Sequence, residues 1–201
     1  MIAIIDYGAG NIKSLQFALT KLNIDSRLTT DKQSIEESKA IILPGVGAFN
    51  DAMKALNQLG LTTVLQKEAA AGKPILGICL GMQLFYDTSY EDGDWSGIGL
   101  LKGEVSRISN SVKVPHMGWN TLTQETTNPL FNKITDNAYV YFVHSYAVSS
   151  YQEETLIGST QYGGTVPAII QKDNIIGMQF HPEKSGSTGL QLLQNFGEMI
   201  S

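Results

Sequence analysis

Cys79 is the chain's lone thiol, and it stands between glycines in Gly77-Ile78-Cys79-Leu80-Gly81-Met82-Gln83. Lys73-Pro74-Ile75-Leu76, just before it, is a short apolar run opened by proline and predicts a buried strand. Leu80, Met82, Leu84 and Phe85 predict the opening of a helix. A nucleophile between glycines, where a strand turns sharply into a helix, has the form of a nucleophile elbow, Gly-x-Ser-x-Gly with a thiol in place of the hydroxyl. Glycines let the backbone turn tightly and let a ligand approach without meeting a Cβ. A helix N-terminus favours a thiolate and can hold a developing oxyanion. The alternative is a structural thiol, since free cysteine packs as a small hydrophobe. The elbow alone leaves both readings open.

The far end of the chain separates them. Ile176-Gly177-Met178-Gln179-Phe180-His181-Pro182-Glu183-Lys184 ends a strand with a histidine, and a glutamate follows two residues on. Alternation along an extended segment puts His181 and Glu183 on one side, so the carboxylate can hold one ring nitrogen and leave the other for a thiol proton. Alone, His181 would read as a capping or surface histidine. With the elbow it completes a nucleophile, base and orienter set in the order Cys, His, Glu. Pro44-Gly45-Val46-Gly47 fits beside them: its backbone N–H groups suit an oxyanion hole or a carboxylate nest. By itself that stretch would be a plain strand-to-helix turn. Its two glycines let the peptide planes rotate at little steric cost, which offers a switch.

Such residues need a scaffold. The chain has 201 residues, 42% hydrophobic and 16% charged, which suits one globular domain spanning 1–201 with a full core. A net charge of −5, with 14 unclustered basic residues, argues against a nucleic-acid partner. No apolar run approaches a membrane span, and Met1-Ile2-Ala3-Ile4-Ile5 is too short and lacks the basic start of a signal peptide, so it is expected to be a first strand. A cytoplasmic protein is expected. One cysteine excludes an intrachain disulfide and a cysteine-rich zinc site; no metal and no cofactor are expected. Gly8-x-Gly10 is a poor dinucleotide signal, because the third glycine is missing and Asp25 is a weak substitute for the usual acidic residue.

Ile2–Ile5, Ser26–Thr30 and Ala40–Leu43 read as strands alternating with helices marked by Leu15, Ala18, Leu19 and Leu22, by Met53, Leu56 and Leu59, and by Val64, Leu65 and Ala69. This predicts an α/β fold: a mostly parallel central sheet with helices on both faces, and sites beyond the carboxyl ends of its strands. From Gly103 to Gln171 short runs such as Val105–Ile108, Tyr139–Val143, Thr155–Gly158 and Ala168–Ile170 predict an antiparallel extension. Tyr90–Gly97 reads as a surface loop. Leu192, Leu193, Phe196, Met199 and Ile200 mark one side of a final helix.

The elbow together with Phe180-His181-Pro182-Glu183 resembles the class I (triad) glutamine amidotransferases, which release ammonia from glutamine and pass it to a synthase. Within that class, Asp6-Tyr7-Gly8-Ala9-Gly10-Asn11, Pro44-Gly45-Val46-Gly47-Ala48-Phe49, Pro115-His116-Met117-Gly118-Trp119-Asn120, Val143-His144-Ser145-Tyr146 and Gln179 to Ser185 resemble the glutaminase subunits of imidazole glycerol phosphate synthases, from histidine biosynthesis. The resemblance covers the chain from end to end. It implies Cys79 as nucleophile, His181 as base and acid, and Glu183 as orienter. It implies Leu80 with Gly45 or Val46 for the oxyanion hole, and Gly47, Gln83, Ser145 and Tyr146 for the amino-acid head of glutamine. It further implies a heterodimer with a cyclase subunit, faced by Asn11, Trp119 and Lys184. Trp119 also reads as an ordinary core indole. Two rival readings share parts of the pattern. Triad glutaminases of other pathways carry the same elbow and His-Pro-Glu, but the Asp6–Asn11 and His116–Asn120 stretches decide against them. A non-catalytic, redox-sensing relative would have no use for His181 and Glu183 together.

Overall fold

The computed structural model of the chain describes residues 1–8 and 12–200. Strand β1 (Ile2–Ile5) is followed by helix α1 (Ile12–Lys21), β2 (Ser26–Thr29), α2 (Lys32–Glu37), β3 (Ala40–Leu43), α3 (Phe49–Gln58), α4 (Leu61–Ala70) and β4 (Ile75–Ile78). A single turn, α5 (Leu80–Gln83), precedes β5 (Tyr86–Ser89), β6 (Trp95–Ser96), β7 (Leu101–Arg107) and β8 (His116–Gln124). The chain ends with β9 (Ala138–His144), β10 (Tyr146–Tyr151), β11 (Leu156–Gln161), β12 (Thr165–Lys172), β13 (Ile175–Met178) and α6 (Gly186–Met199).

Among the described residues one sheet has nine strands, in the order β2-β1-β3-β4-β13-β12-β11-β8-β9. The strands from β2 to β13 run parallel. Those from β12 to β9 extend them antiparallel. The α/β architecture expected from the sequence is therefore present, with a long antiparallel arm. Every residue of β1 and β3 is buried, as befits parallel strands covered on both faces. Ala3, Ile5, Ile41 and Leu43 pack with Leu56 and Leu65 of α3 and α4 on one face. Ile2, Ile4, Ala40 and Ile42 pack with Leu15 of α1 and Phe196 of α6 on the other. No described helix is long and apolar enough to cross a membrane.

The middle of the chain departs from the sequence reading. The helix expected after Cys79 lasts one turn, because the loop that follows captures the carbonyls just past it: Ile98 N–H bonds Leu84 O at 2.7 Å and Leu100 N–H bonds Phe85 O at 2.8 Å. Tyr86 then enters a strand instead. The run around Val105 belongs to a second sheet, β10-β7-β5-β6, separate from the main one. Strand β8, which joins the antiparallel arm, is not marked by a buried apolar face, since Met117 and Trp119 point outward. What matters for the site is that β1, β3, β4 and β13 all present their carboxyl ends on one side. Tyr7, Pro44, Cys79 and Gln179 to Glu183 follow those ends.

Candidate active site

Cys79 sits in an unusual backbone conformation, φ 54° and ψ −111°, which for a side chain with a Cβ costs roughly 1–3 kcal/mol. The neighbourhood holds it there. Its N–H donates to Met178 O at 2.7 Å, and its carbonyl accepts from Met82 N–H at 3.1 Å. The glycines do a different job from the one their pattern suggests. A Cβ on Gly81 would collide with the Leu43 carbonyl oxygen, and one on Gly77 would press into Phe85 and the Gly81 backbone. They let α5 lie directly on β3 and β4, and neither faces the cleft.

His181 and Glu183 meet as expected, with Nδ1 and Oε1 2.8 Å apart and both side chains buried. The route differs. Pro182–Lys184 forms a 3₁₀ turn, and this turn, rather than strand alternation, folds the carboxylate back to the ring. The backbone of His181 is anchored: its N–H donates to Tyr141 O at 3.0 Å and its carbonyl accepts from Ser185 Oγ at 2.6 Å. Nε2 is buried and makes no hydrogen bond. Burial disfavours the imidazolium, but Cys79 and Glu183 together outweigh it and raise the His181 pKa to about 10.

Cys79 and His181 line a cleft of about 400 Å³. Val46, Gly47, Leu80, Gln83, Ser145, Tyr146 and Lys184 line it with them. Gly45 lies behind, in a small hollow shared with His181 and Glu183. The Tyr7 hydroxyl donates to Pro44 O at 2.7 Å, and a Cβ on Gly45 would stand 2.6 Å from that hydroxyl. The Pro44–Gly45 peptide is thus pinned, while Gly47, at φ 97°, has open space around it. The motif Asp6–Asn11 contributes Tyr7 to this arrangement; Asn11 lies outside the described residues.

Gln83 donates through Nε2 to Tyr146 O at 2.9 Å and to Gln179 Oε1 at 3.0 Å. Gln179 Nε2 stands 3.8 Å from Cys79 Sγ. The chain's other two histidines are bonded to each other: His116 Nδ1 is 2.9 Å from His144 Nε2, and His144 Nδ1 is 2.9 Å from Tyr146 O. Trp119 is no core indole. It is 55% exposed, edge-on to Tyr141, and its ring approaches Gly186. Met117, Trp119, Tyr139 and Tyr141 share the outer face of β8 and β9 by register, next to the turn that carries Lys184.

Sequence reasoning missed three contributors. Glu91, in the presumed surface loop, lines the cleft and accepts the Phe49 N–H at 2.7 Å, capping α3. Burial raises its pKa. No local signal marks it. Gln179 could have been found, since it lies two residues before His181 in the same motif, just past the end of β13. Tyr7 lay within a motif, but its link to Pro44 spans 37 residues. Among the described residues no group of three or more His, Cys, Asp or Glu side chains could hold a metal ion. The arrangement can form a covalent adduct at a thiol, shuttle a proton through one imidazole, and hold a small zwitterion between a carboxylate and backbone donors.

Residues 3–199 match the family described as glutamine amidotransferase class-I. The imidazole glycerol phosphate synthase subunit HisH of Oceanobacillus iheyensis is 66% identical over 200 residues, covering the whole of both chains. The protein of the same name from Caldanaerobacter subterraneus subsp. tengcongensis is 47% identical over 200 residues, covering 100% of this chain and 98% of its own. Among solved structures, one described as a glutamine amidotransferase superposes with a TM-score of 0.79 at 18% identity, covering 99% of this chain and 98% of its own. The structure of PurLQS from Thermotoga maritima gives 0.78 at 19% identity, with 100% and 98% covered. These two show likeness of fold.

Proposed function

The chain belongs to the class-I glutamine amidotransferases, and on that premise we propose that Cys79, His181 and Glu183 carry its glutamine hydrolysis. It is the glutaminase subunit of an imidazole glycerol phosphate synthase, works with a cyclase subunit, and serves histidine biosynthesis. The Cys79 sulfur attacks the side-chain amide carbon of glutamine. The tetrahedral oxyanion is held by the N–H of Leu80 and one from Gly45-Val46. His181, whose raised pKa suits it to hold a proton, delivers that proton to the departing ammonia. It then takes one from the water that opens the glutamyl thioester, releasing glutamate. Glu183 keeps the ring oriented.

Substrate recognition follows from the cleft. Glu91 would face the α-ammonium, while Gly47 and Tyr146 offer backbone donors to the α-carboxylate, Ser145 lines the cleft beside them, and Gln83 braces Tyr146. Trp119 and Lys184 are proposed for the partner face, extended by Met117 and Tyr139, whose exposure supports a covered surface. Asn11 stays part of that proposal on sequence grounds. With the Pro44–Gly45 peptide pinned, rotation when the partner docks falls to the peptides between Gly45 and Gly47; one oxyanion donor is worth about 10²–10³ in rate. A single amidotransferase domain, a one-to-one heterodimer and a cytoplasmic location complete the reading, supported by the family match over 3–199 and the biosynthetic role.

The observation that carries it is the strained elbow of Cys79 beside an imidazole held by a buried carboxylate. A glutamine analogue bearing a diazoketone tests it. Its mass should appear on the peptide containing Cys79, and glutamine should protect. Labelling elsewhere, or labelling that glutamine does not slow, would contradict the assignment.

A further inference from the structure

Two of the three histidines take no part in the triad. His116, on β8, and His144, at the end of β9, are register partners, and both are buried. The direction of each of their bonds can be worked out from one end. Asn120 Oδ1 accepts the Thr121 N–H at 2.8 Å, so the other amide atom is the donor. It donates to Gln161 O at 3.1 Å and to His116 Nε2 at 3.2 Å. His116 therefore carries its proton on Nδ1 and donates to His144 Nε2. His144 likewise carries its proton on Nδ1, and donates to Tyr146 O. Burial lowers the two pKa values, to about 4 for His116 and about 3 for His144, so both rings are neutral at physiological pH.

The carbonyl at the end of this chain matters because of where it lies. Ile108 N–H bonds Ser145 O at 3.0 Å, and Tyr146 pairs with Arg107 in the next register position. In an antiparallel ladder successive residues turn their backbone groups to opposite sides. Ser145 thus faces β7, while the N–H and C=O of Tyr146 face the free edge of β10, and Tyr146 lines the cleft. Its C=O is held there by Gln83 and His144, which restrains the residue that presents the N–H, one peptide plane away.

We propose that Asn120, His116 and His144 form a one-way hydrogen-bond relay that positions the Tyr146 backbone for the α-carboxylate of glutamine. His116 and His144 are then positioning residues for substrate binding; the proposal rests on the glutaminase reading of the cleft. Packing alone does not call for these nitrogens. The His116 ring is stacked between Phe142 and Tyr162, at 4.5 and 3.9 Å between centroids, and any flat ring would fill that slot. What the nitrogens add is a tautomer. Without a donor at Nε2, His144 can turn or ionise, and the Tyr146 carbonyl loses one of its two fixed partners. The relay also begins on the strand whose outer face carries Met117 and Trp119.

Two variants in complex with the cyclase subunit separate relay from packing. His116→Phe keeps a ring between Phe142 and Tyr162 and removes both nitrogen bonds. His116→Asn removes the ring but leaves an amide donor near the Nδ1 position. The relay predicts that KM for glutamine rises about tenfold in His116→Phe with kcat within about twofold, and stays within about threefold of wild type in His116→Asn. A packing role predicts the opposite order, Asn worse than Phe, and that order would overturn the proposal. Side-chain nitrogen shifts give a reading independent of turnover: both His116 and His144 must show Nδ1–H, and an Nε2–H form at either one overturns it. Wild-type turnover tests the glutaminase reading, whereas the ranking of the two variants tests only the relay.

Discussion

His181 and His144 border the same cleft, each buried and each bonded through a ring nitrogen to a neighbour, yet they hold opposite protonation states. At His181 the neighbours are a carboxylate and a sulfur, and they overcome the cost of burying charge. At His144 the neighbours are a second neutral imidazole and a carbonyl; burial dominates, and the approach of His116 and His181 adds to it. Burial is common to both, so it does not decide the outcome. The chemistry of the bonded partner does. In the proposed mechanism one corner of the cleft moves a proton, and the other keeps one still.

Removing the mobile proton should have the largest effect. His181→Ala is expected to lower single-turnover thioester formation by about 10⁴-fold or more, and Glu183→Gln by about 10²-fold, because the carboxylate only orients and stabilises the imidazolium. Equal losses would mean that Glu183 takes a direct part in proton transfer. A smaller effect belongs to substrate binding. Glu91→Gln removes the charge facing the α-ammonium but keeps an acceptor for Phe49 N–H, so KM for glutamine should rise about tenfold with little change in kcat. A fall in kcat with unchanged KM would remove Glu91 from the binding role.

The smallest effect is also the sharpest test of the contrast between corners. His116 and His144 titrate lower in the folded chain than the ordinary value of 6.5, so the unfolded chain binds more protons below that pH. Their neutrality therefore costs stability as pH falls from about 6.5 towards 4 and 3. His181 titrates higher when folded, so its contribution is complete below about 6.5 and is lost as pH rises through about 10. Melting temperature against pH should show His116→Phe softening the acid limb, and Cys79→Ala, which removes the sulfur beside His181, softening the alkaline limb. Each substitution acting on the other limb would break the comparison.

The parallel half was legible in the sequence for a physical reason. Strands buried on both faces are continuous apolar runs punctuated by glycine and proline, and Ile2–Ile5 and Ala40–Leu43 fold with the boundaries expected. The residue types at Cys79, His181 and Glu183 carry their chemistry openly. In the antiparallel arm the runs Tyr139–Val143, Thr155–Gly158 and Ala168–Ile170 were legible too, and they fall on β9, β11 and β12; β8 was not. Over its first five residues β8 sets His116, Gly118 and Asn120 inward and Met117 and Trp119 outward, the reverse of the usual pattern, and only Leu122 adds an apolar side chain to the inner face. That inversion suits a relay inside and a docking surface outside, and it defeats a hydrophobic pattern. Glu91 was hidden for another reason. Its place depends on Trp95 Nε1 bonding its carbonyl at 2.8 Å and on Phe49, 42 residues away, bonding its carboxylate.

As proposed, Cys79 serves the hydrolysis of glutamine and nothing else. In the complex with the cyclase subunit, Cys79→Ala should abolish synthesis driven by glutamine while leaving synthesis driven by added ammonia near the wild-type rate. Near-native glutamine-driven synthesis in Cys79→Ala would contradict the assignment of the nucleophile. Equal loss with both nitrogen sources would show that Cys79 supports the assembly rather than the chemistry.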